Sequence, residues 1–184
     1  MIHPLADVHS TSIGSNTTIW QFAIVLKGAV IGENCNINAH TFIENEVQIG
    51  NSVTIKCGVY VWDGITIGDH VFVGPNVTFI NDPYPRSKKH LAAYPQTFIG
   101  EGASIGAAAT IKCGVTIGRF AMVGAASMLT KSIGAFELWY GNPARHTGYV
   151  TRDGITLNLS LDDKNGNGYQ LNESGEPVLK KSNQ

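Results

Sequence analysis

A chain of 184 residues with a formal net charge of −1 has room for one domain of ordinary size, and it lacks the broad positive surface that a nucleic-acid polymer requires. No stretch approaches the ~20 apolar residues of a membrane span, and the opening MIHPLADVHS lacks the positive-then-apolar layout of a signal peptide, so a cytoplasmic chain without membrane contact is expected. Three cysteines, Cys35, Cys57 and Cys113, fit neither a paired metal-ligand spacing nor a disulfide framework, and reduced thiols are expected.

The predicted elements begin at Ile13. Isoleucine followed by glycine recurs at Ile13, Ile31, Ile49 and Ile67, eighteen residues apart. Every sixth position between and beyond them is also apolar: Ile19, Val25, Ile37, Ile43, Ile55, Val61, Val73 and Phe79. After an interruption the series resumes at Ile99, Ile105, Ile111, Ile117, Val123 and Leu129. A fixed period of this kind marks a stacked-repeat architecture. Six residues are too few for a helical repeat but suit one short strand and a turn, and the β-branched enrichment agrees. Three hexapeptides make one eighteen-residue coil, triangular in section, with its anchors pointing inward. The predicted fold is therefore all-β: a parallel β-helix over residues 1–135. Eighteen anchors make about six coils, a prism roughly 29 Å long at ~4.8 Å between stacked strands.

The interruption is NDPYPRSKKHLAAYP, residues 81–95. Phe79 to Ile99 is twenty residues where six are due, an insertion of fourteen. Ile99 and Ile117 are again followed by glycine, so the register survives and the insertion is a loop thrown out at one corner. Pro83, Pro85 and Pro95 suit such a loop because they cannot donate to a strand ladder. A long loop in a compact repeat is either functional or disordered, and Tyr84, Tyr94 and Arg86 favour function.

Residues eighteen apart stack on adjacent coils. Asn45, Asp63 and Asn81 thus form an outward ladder, Glu44, Trp62 and Ile80 the ladder beside it, and His40 sits at the preceding corner between Phe22 and Gly58. Any one of these polar side chains is ordinarily just solvated. Asp63, Asn81, Asp82 and Arg86 together with Trp62 and Tyr84 suit a polar, ring-bearing ligand.

Beyond the loop, IGAAAT and VGAASM align eighteen residues apart. Gly106, Ala107, Ala108, Gly124, Ala125 and Ala126 leave either tightly packed turns or a smooth groove for a thin extended ligand, with backbone close enough to bond it. Lys131 and Arg145 supply cations near the end of the prism. TIKCGV occurs twice, so Cys57 and Cys113 read as turn residues rather than as a unique nucleophile. Residues 136–184 are expected to form an extension: a short linker or helix, then a hairpin of GYVTRDGITLNLSL and GYQLNESGEPVL about the turn DDKNGNG. That turn lacks the glutamate and the helices of a calcium loop. The final KKSNQ is expected to fray.

From about Ile13 to Arg145 the chain resembles the left-handed β-helix of the hexapeptide-repeat acyltransferases, and the handedness is implied by that resemblance rather than by the period. From Asn38 to Lys88 it resembles more narrowly the nucleotide-linked 3-amino-sugar N-acyltransferases, through Trp62–Asp63–Gly64, Gly74–Pro75–Asn76, Asn81–Asp82 and Pro85–Arg86. Gly141 to Arg145 is similar to the glycine–asparagine–proline–alanine–Arg/Lys segment that follows the last coil in this family, and Lys131 to the lysine before it. SIGAFELW departs from the proline-rich link that relatives often carry there.

The resemblance implies an acetyl-CoA-dependent N-acetyltransferase without a metal, acting on a dTDP-3-amino-3,6-dideoxyhexose for surface-polysaccharide synthesis. A UDP-2-acetamido-3-amino-glucuronate N-acetyltransferase and a sugar O-acetyltransferase of the same fold remain as alternatives. It implies a homotrimer with each site between two prisms. Asn81, Asp82 and Asp63 would hold the acceptor amine and its neighbouring hydroxyl, with His40 the candidate base. Glu44, Trp62, Tyr84 and Arg86 would line the sugar-nucleotide side. The small-residue groove would take the pantetheine arm of coenzyme A, and Lys131, Asn142, Pro143 and Arg145 its phosphates. Carbonic anhydrases that share the fold need three converging histidines, whereas here His40 stands alone near an expected interface. The tail has no cysteine, so the zinc site of some relatives is not expected.

Overall fold

The computed structural model describes residues 1–180; of the KKSNQ expected to fray, Lys180 bonds Gly168 O through its N–H at 3.0 Å and residues 181–184 lie outside the described residues. Short strands, mostly of two or three residues, stack in parallel to form the three faces of a prism. The first face has seven strands: Asp7–Val8, Ile24–Val25, Phe42–Ile43, Tyr60–Val61, Thr78–Phe79, Thr110–Ile111 and Met128–Leu129. The second has six, from Ser12–Ile13 to Thr116–Ile117. The third begins at Thr18–Ile19 and runs through Asn36–Ile37, Thr54–Ile55, Phe72–Val73, Ser104–Ile105 and Met122–Val123.

The anchors do what the period requires. Of the eighteen, Ile13 is half-buried and the other seventeen are buried, forming one continuous apolar column. Buried hydroxyl and thiol groups sit at the corners, where they satisfy backbone atoms. Thr17 Oγ1 donates to Gly32 O at 2.7 Å and accepts from Cys35 N at 3.0 Å, and Cys35 Sγ donates to Gly50 O at 3.1 Å. Burial pushes the Cys35 thiol above its ordinary pKa, consistent with a structural role. Cys57 and Cys113 occupy different corners, the first exposed and the second buried.

The loop leaves the corner between the first and second faces and returns at Thr97. Ile67 pairs with Ile99, so the partner lies one eighteen-residue turn plus the fourteen inserted residues along the chain. Within the loop, Arg86 and Lys89 form an antiparallel bridge.

Both ends of the prism correct the expectation of six coils: there are about seven. At the start, Val8 pairs with Val25 and Ile2 with Ile19, seventeen residues apart rather than eighteen. At the finish, Ile117 pairs with Ile133 and Val123 with Trp139, sixteen apart. One residue is missing from the first coil and two from the last, which carries both coils out of the strict sixfold series.

The segment expected as a linker or helix is the strand Glu137–Gly141, which adds to the third face in parallel. Ala144–Val150 then pairs antiparallel with it and Thr156–Leu157 with that, extending this face to nine strands. The tail is therefore more than one hairpin. The DDKNGNG turn does reverse the chain, with Asp163 Oδ1 accepting from the N–H groups of Asn165 and Asn167, and a further pair joins Tyr169–Leu171 to Pro177–Leu179. The extension is fastened to the last coil by aromatic and charged contacts. Buried Phe136 stacks on Phe120 at 5.2 Å, and the Arg152 guanidinium lies 4.2 Å from the Phe120 ring centre while binding both carboxylate oxygens of Glu176.

Candidate active site

The first face carries a cluster of outward-facing aromatic side chains. Strand geometry turns alternate residues outward, so Phe42 and Tyr60 stack on one ladder, and Trp62 stands two residues along from Tyr60. The three rings pack at 5.6 to 6.4 Å, and the Trp62 indole N–H donates to Phe79 O at 3.0 Å. At the corner between the third and first faces, Phe22 and His40 both have φ near +60° and their rings stack at 5.1 Å. With Ile24 and Thr41 these residues line a groove of about 340 Å³. His40 and Trp62 were legible as site candidates from the sequence. Phe22, Ile24, Phe42 and Tyr60 were not singled out, although the eighteen-residue offset between Phe42 and Tyr60 was the signal for them.

The opposite edge of the same face holds the loop base. Asn45 and Asp63 each turn a side-chain oxygen onto the coil before: Asn45 Oδ1 accepts from Gly28 N at 3.1 Å and Asp63 Oδ1 from Glu46 N at 2.7 Å. Glu44 turns the other way, accepting from Asp63 N at 2.7 Å. Asn81 continues the ladder, half-buried, yet its side chain has no hydrogen bond among the described residues. Asp82 accepts from Tyr84 N at 2.8 Å, while the exposed Arg86 guanidinium donates to Pro85 O at 2.9 Å. Tyr84 is exposed on the loop. The structure thus gathers Glu44, Asp63, Asn81 and Asp82 at one corner, with Trp62 beside them. His40 lies across the face, about five extended residues or roughly 16 Å away.

Burial raises the Glu44 pKa above its ordinary value, followed by repulsion from Asp63 and Glu46, against the lowering effect of the Asp63 N–H bond. A carboxyl raised in the folded state stabilises most below its unfolded value and loses that contribution as pH rises through the folded value. Glu44→Gln keeps an oxygen for the Asp63 N–H and removes the charge. Its melting temperature should match the parent's in acid and exceed it near neutrality, a comparison for scanning calorimetry at both pH values.

The small-residue wall lies on the third face and the corner beyond it. Gly74, Gly106 and Gly124 occupy successive coils in one column. A Cβ at Gly106 would sit 2.4 Å from Ala125 N, so tight packing alone requires glycine there. The wall also leaves a groove: Phe72, Ser104, Gly106, Met122, Gly124 and Ala125 contribute to a cavity of about 300 Å³. Ala107, Ala108 and Ala126 continue it around the corner, Ala108 and Ala126 with φ near +55°. At the upper end Lys131 Nζ lies 5.0 Å from the Trp139 ring centre, and Asn142, Pro143 and Arg145 are exposed at the turn joining the two terminal strands. Among the described residues, no three His, Cys, Asp or Glu side chains converge on a point that could hold a metal ion, and no helix is long and apolar enough to cross a membrane.

A family model described as bacterial transferase hexapeptide (six repeats) matches residues 10–45 and 46–81, and one described as hexapeptide repeat of succinyl-transferase matches residues 96–131. The gap between the matches is the loop. The chain is similar to the dTDP-3-amino-3,6-dideoxy-alpha-D-galactopyranose 3-N-acetyltransferase of Aneurinibacillus thermoaerophilus, being 54% identical over 149 residues, 81% of this chain and 78% of that protein. Among solved structures it is similar to a UDP-N-acetylglucosamine acyltransferase from Bacteroides fragilis, with a TM-score of 0.66 at 22% identity over 80% of this chain. That match spans only 60% of the Bacteroides chain. It is also similar to an N-acyltransferase from Bacillus cereus in complex with dTDP and coenzyme A, with a TM-score of 0.53 at 17% identity over 83% of this chain and 84% of that one. These two structural likenesses bear on the fold alone.

Proposed function

The chain belongs to the hexapeptide-repeat transferases, and on that premise we propose that it transfers the acetyl group of acetyl-CoA to the 3-amino group of a dTDP-linked 3-amino-3,6-dideoxyhexose, in the cytoplasm, as a step toward a surface polysaccharide. The observation that carries this reading is the 54% identity to an enzyme named for that reaction, over a span that includes most of the prism. The chemistry of the two grooves supports it. Aromatic rings and a polar loop base suit a nucleotide sugar, and the glycine–alanine wall suits a pantetheine arm.

The reaction asks little of a protein base. A sugar amine is expected below the ~10.4 of lysine, so a fraction is neutral near neutral pH. Its nitrogen attacks the thioester carbonyl, the C–S bond breaks, and coenzyme A leaves as a thiolate that takes up the proton the nitrogen sheds. The protein's part is to hold the amine against the carbonyl and to offer N–H groups to the developing oxyanion. Asn81, Asp82 and Asp63 are assigned to the amine and its neighbouring hydroxyl, and Glu44, Trp62, Tyr84 and Arg86 to the sugar nucleotide. Gly106, Ala107, Ala108, Gly124, Ala125 and Ala126 are assigned to the pantetheine arm, and Lys131, Asn142, Pro143 and Arg145 to the phosphates.

The distance between His40 and Asn81 bears on assembly. They flank the same face at opposite edges, His40 at the far end of the aromatic groove from the loop base. A homotrimer in which the loop-base edge of one prism meets the His40 corner of the next brings them together, with His40 donating to or accepting from the acceptor sugar.

The test is a panel of dTDP- and UDP-linked amino sugars incubated with acetyl-CoA, with products read by mass spectrometry. Acetylation confined to dTDP-3-amino-3,6-dideoxyhexoses is expected. Acetylation of the UDP-linked glucuronate alone would move the protein to the sister activity, and acetylation of none would overturn the reading.

A further inference from the structure

The strand Glu137–Gly141 ends the glycine column. Tyr140 stands directly above Gly124: a Cβ built there would lie 2.5 Å from Tyr140 Cβ and 3.3 Å from its Cγ. Gly124 in turn lies over Gly106, and Gly106 over Gly74. Three coil steps, about 14 Å, separate Gly74 from Tyr140, a span suited to an extended pantetheine arm.

The neighbours of Tyr140 on this strand are committed to the fold. Leu138 and Trp139 are buried, and the Trp139 indole N–H donates to Glu137 at 2.8 Å. Tyr140 is 51% exposed, and its hydroxyl has no hydrogen-bond partner among the described residues. Across the antiparallel turn its direct partner is Arg145, also exposed, whose guanidinium donates to Ala144 O at 3.1 Å, so an open aromatic ring and a cation share one face of the pair. An aromatic plane beside a cation is the chemistry that holds a purine base next to a phosphate, the first by stacking and the second by charge-assisted hydrogen bonds.

We propose that Tyr140 is the stacking platform for the adenine ring of coenzyme A, with Arg145 beside it on an adenosine phosphate. This rests on the placement of the coenzyme along the glycine column and is independent of the acceptor's identity. Tyr140 then sets the protein's preference for the complete coenzyme over thioesters that lack the nucleotide.

Two readouts test it. In steady-state kinetics, Tyr140→Ala should raise KM for acetyl-CoA about fivefold and leave KM for the sugar nucleotide and for S-acetylpantetheine unchanged, while Tyr140→Phe stays near the parent. In calorimetry without any acceptor, Tyr140→Ala should weaken CoA binding by the same factor. Equal losses with both thioesters, or no loss with either, overturn the proposal, as does a parent chain that binds no CoA. CoA binding that depends on Tyr140 in a protein that acetylates none of the sugar panel would leave this subsite standing and remove the assigned acceptor. Melting temperatures of both variants separate a lost platform from a loosened fold.

Discussion

Asn81→Ala is expected to lower turnover by more than tenfold with the melting temperature unchanged. The reason lies in its ladder. Asn45 and Asp63 stack before it and spend their side-chain oxygens on backbone N–H groups of the preceding coil. Asn81 does not, although it is half-buried where the chain leaves the prism for the loop. An amide that no longer holds a corner is free to hold a ligand, and a contact made to the reacting amine registers in kcat rather than only in KM. Asn45→Ala supplies the contrast, because it removes a corner bond and should lower stability by about 1 kcal/mol with little change in turnover. Steady-state kinetics with the preferred acceptor and thermal melts of both variants check the pair. Unchanged turnover in Asn81→Ala would remove the loop base from the site.

Gly106→Val is expected to cost the protein its fold, or at the least to lower its melting temperature by about 10 °C. The atoms nearest an added Cβ are Ala125 N at 2.4 Å, Gly124 C at 2.7 Å and Ala125 Cα at 2.8 Å, all of them backbone. A side chain in the way could rotate aside, but a coil held by parallel hydrogen bonds above and below cannot. Overpacking of this kind costs about 3 kcal/mol or more, and each kcal/mol moves the midpoint of a chain this size by about 2–4 °C. Gly154→Ala is the control: its φ is +85°, with nothing within 4 Å of an added Cβ, so only the conformational cost of about 1 kcal/mol remains. Circular dichroism melts distinguish the two, and a Gly106→Val protein that melts with the parent would show that neighbouring coils can spread.

The interior of this protein was legible because burial repeats with the period of the chain. Ile19, Ile37, Ile55, Val73, Ile105 and Val123 are one column in sequence and one fully buried column in space. The fourteen-residue loop was legible for the same reason, since the glycine after Ile99 restores the register. Ile2, Val8, Ile133 and Trp139 belong to the same columns but were hidden by slips of one and two residues, which no strict sixfold scan can follow. The candidate site was legible only in part. Period places a side chain on an outward ladder but does not say which way its carboxylate turns, so the backbone bond that takes one oxygen each of Glu44 and Asp63, leaving the other for a ligand, was hidden. The width of the first face was equally hidden. The sequence places His40 at the corner before the Asn45–Asp63–Asn81 ladder, and the structure puts the two at opposite edges of the first face, but the period does not say how far apart those edges are.

The misfit coils at the ends of the prism have a consequence for how large the particle can grow. A stack of interchangeable rungs has no natural length, and a bare terminal rung offers open strand edges on which another molecule could nucleate a fibre. At the bottom His3 N bonds Ile19 O at 2.9 Å, covering part of the lowest rung. At the top the chain reverses direction at Gly141, so the strand that follows runs against the grain of every strand below it. An incoming prism would need parallel neighbours and finds an antiparallel one. The antiparallel strand at the top of the third face thus acts as a terminator on an architecture otherwise capable of end-to-end addition.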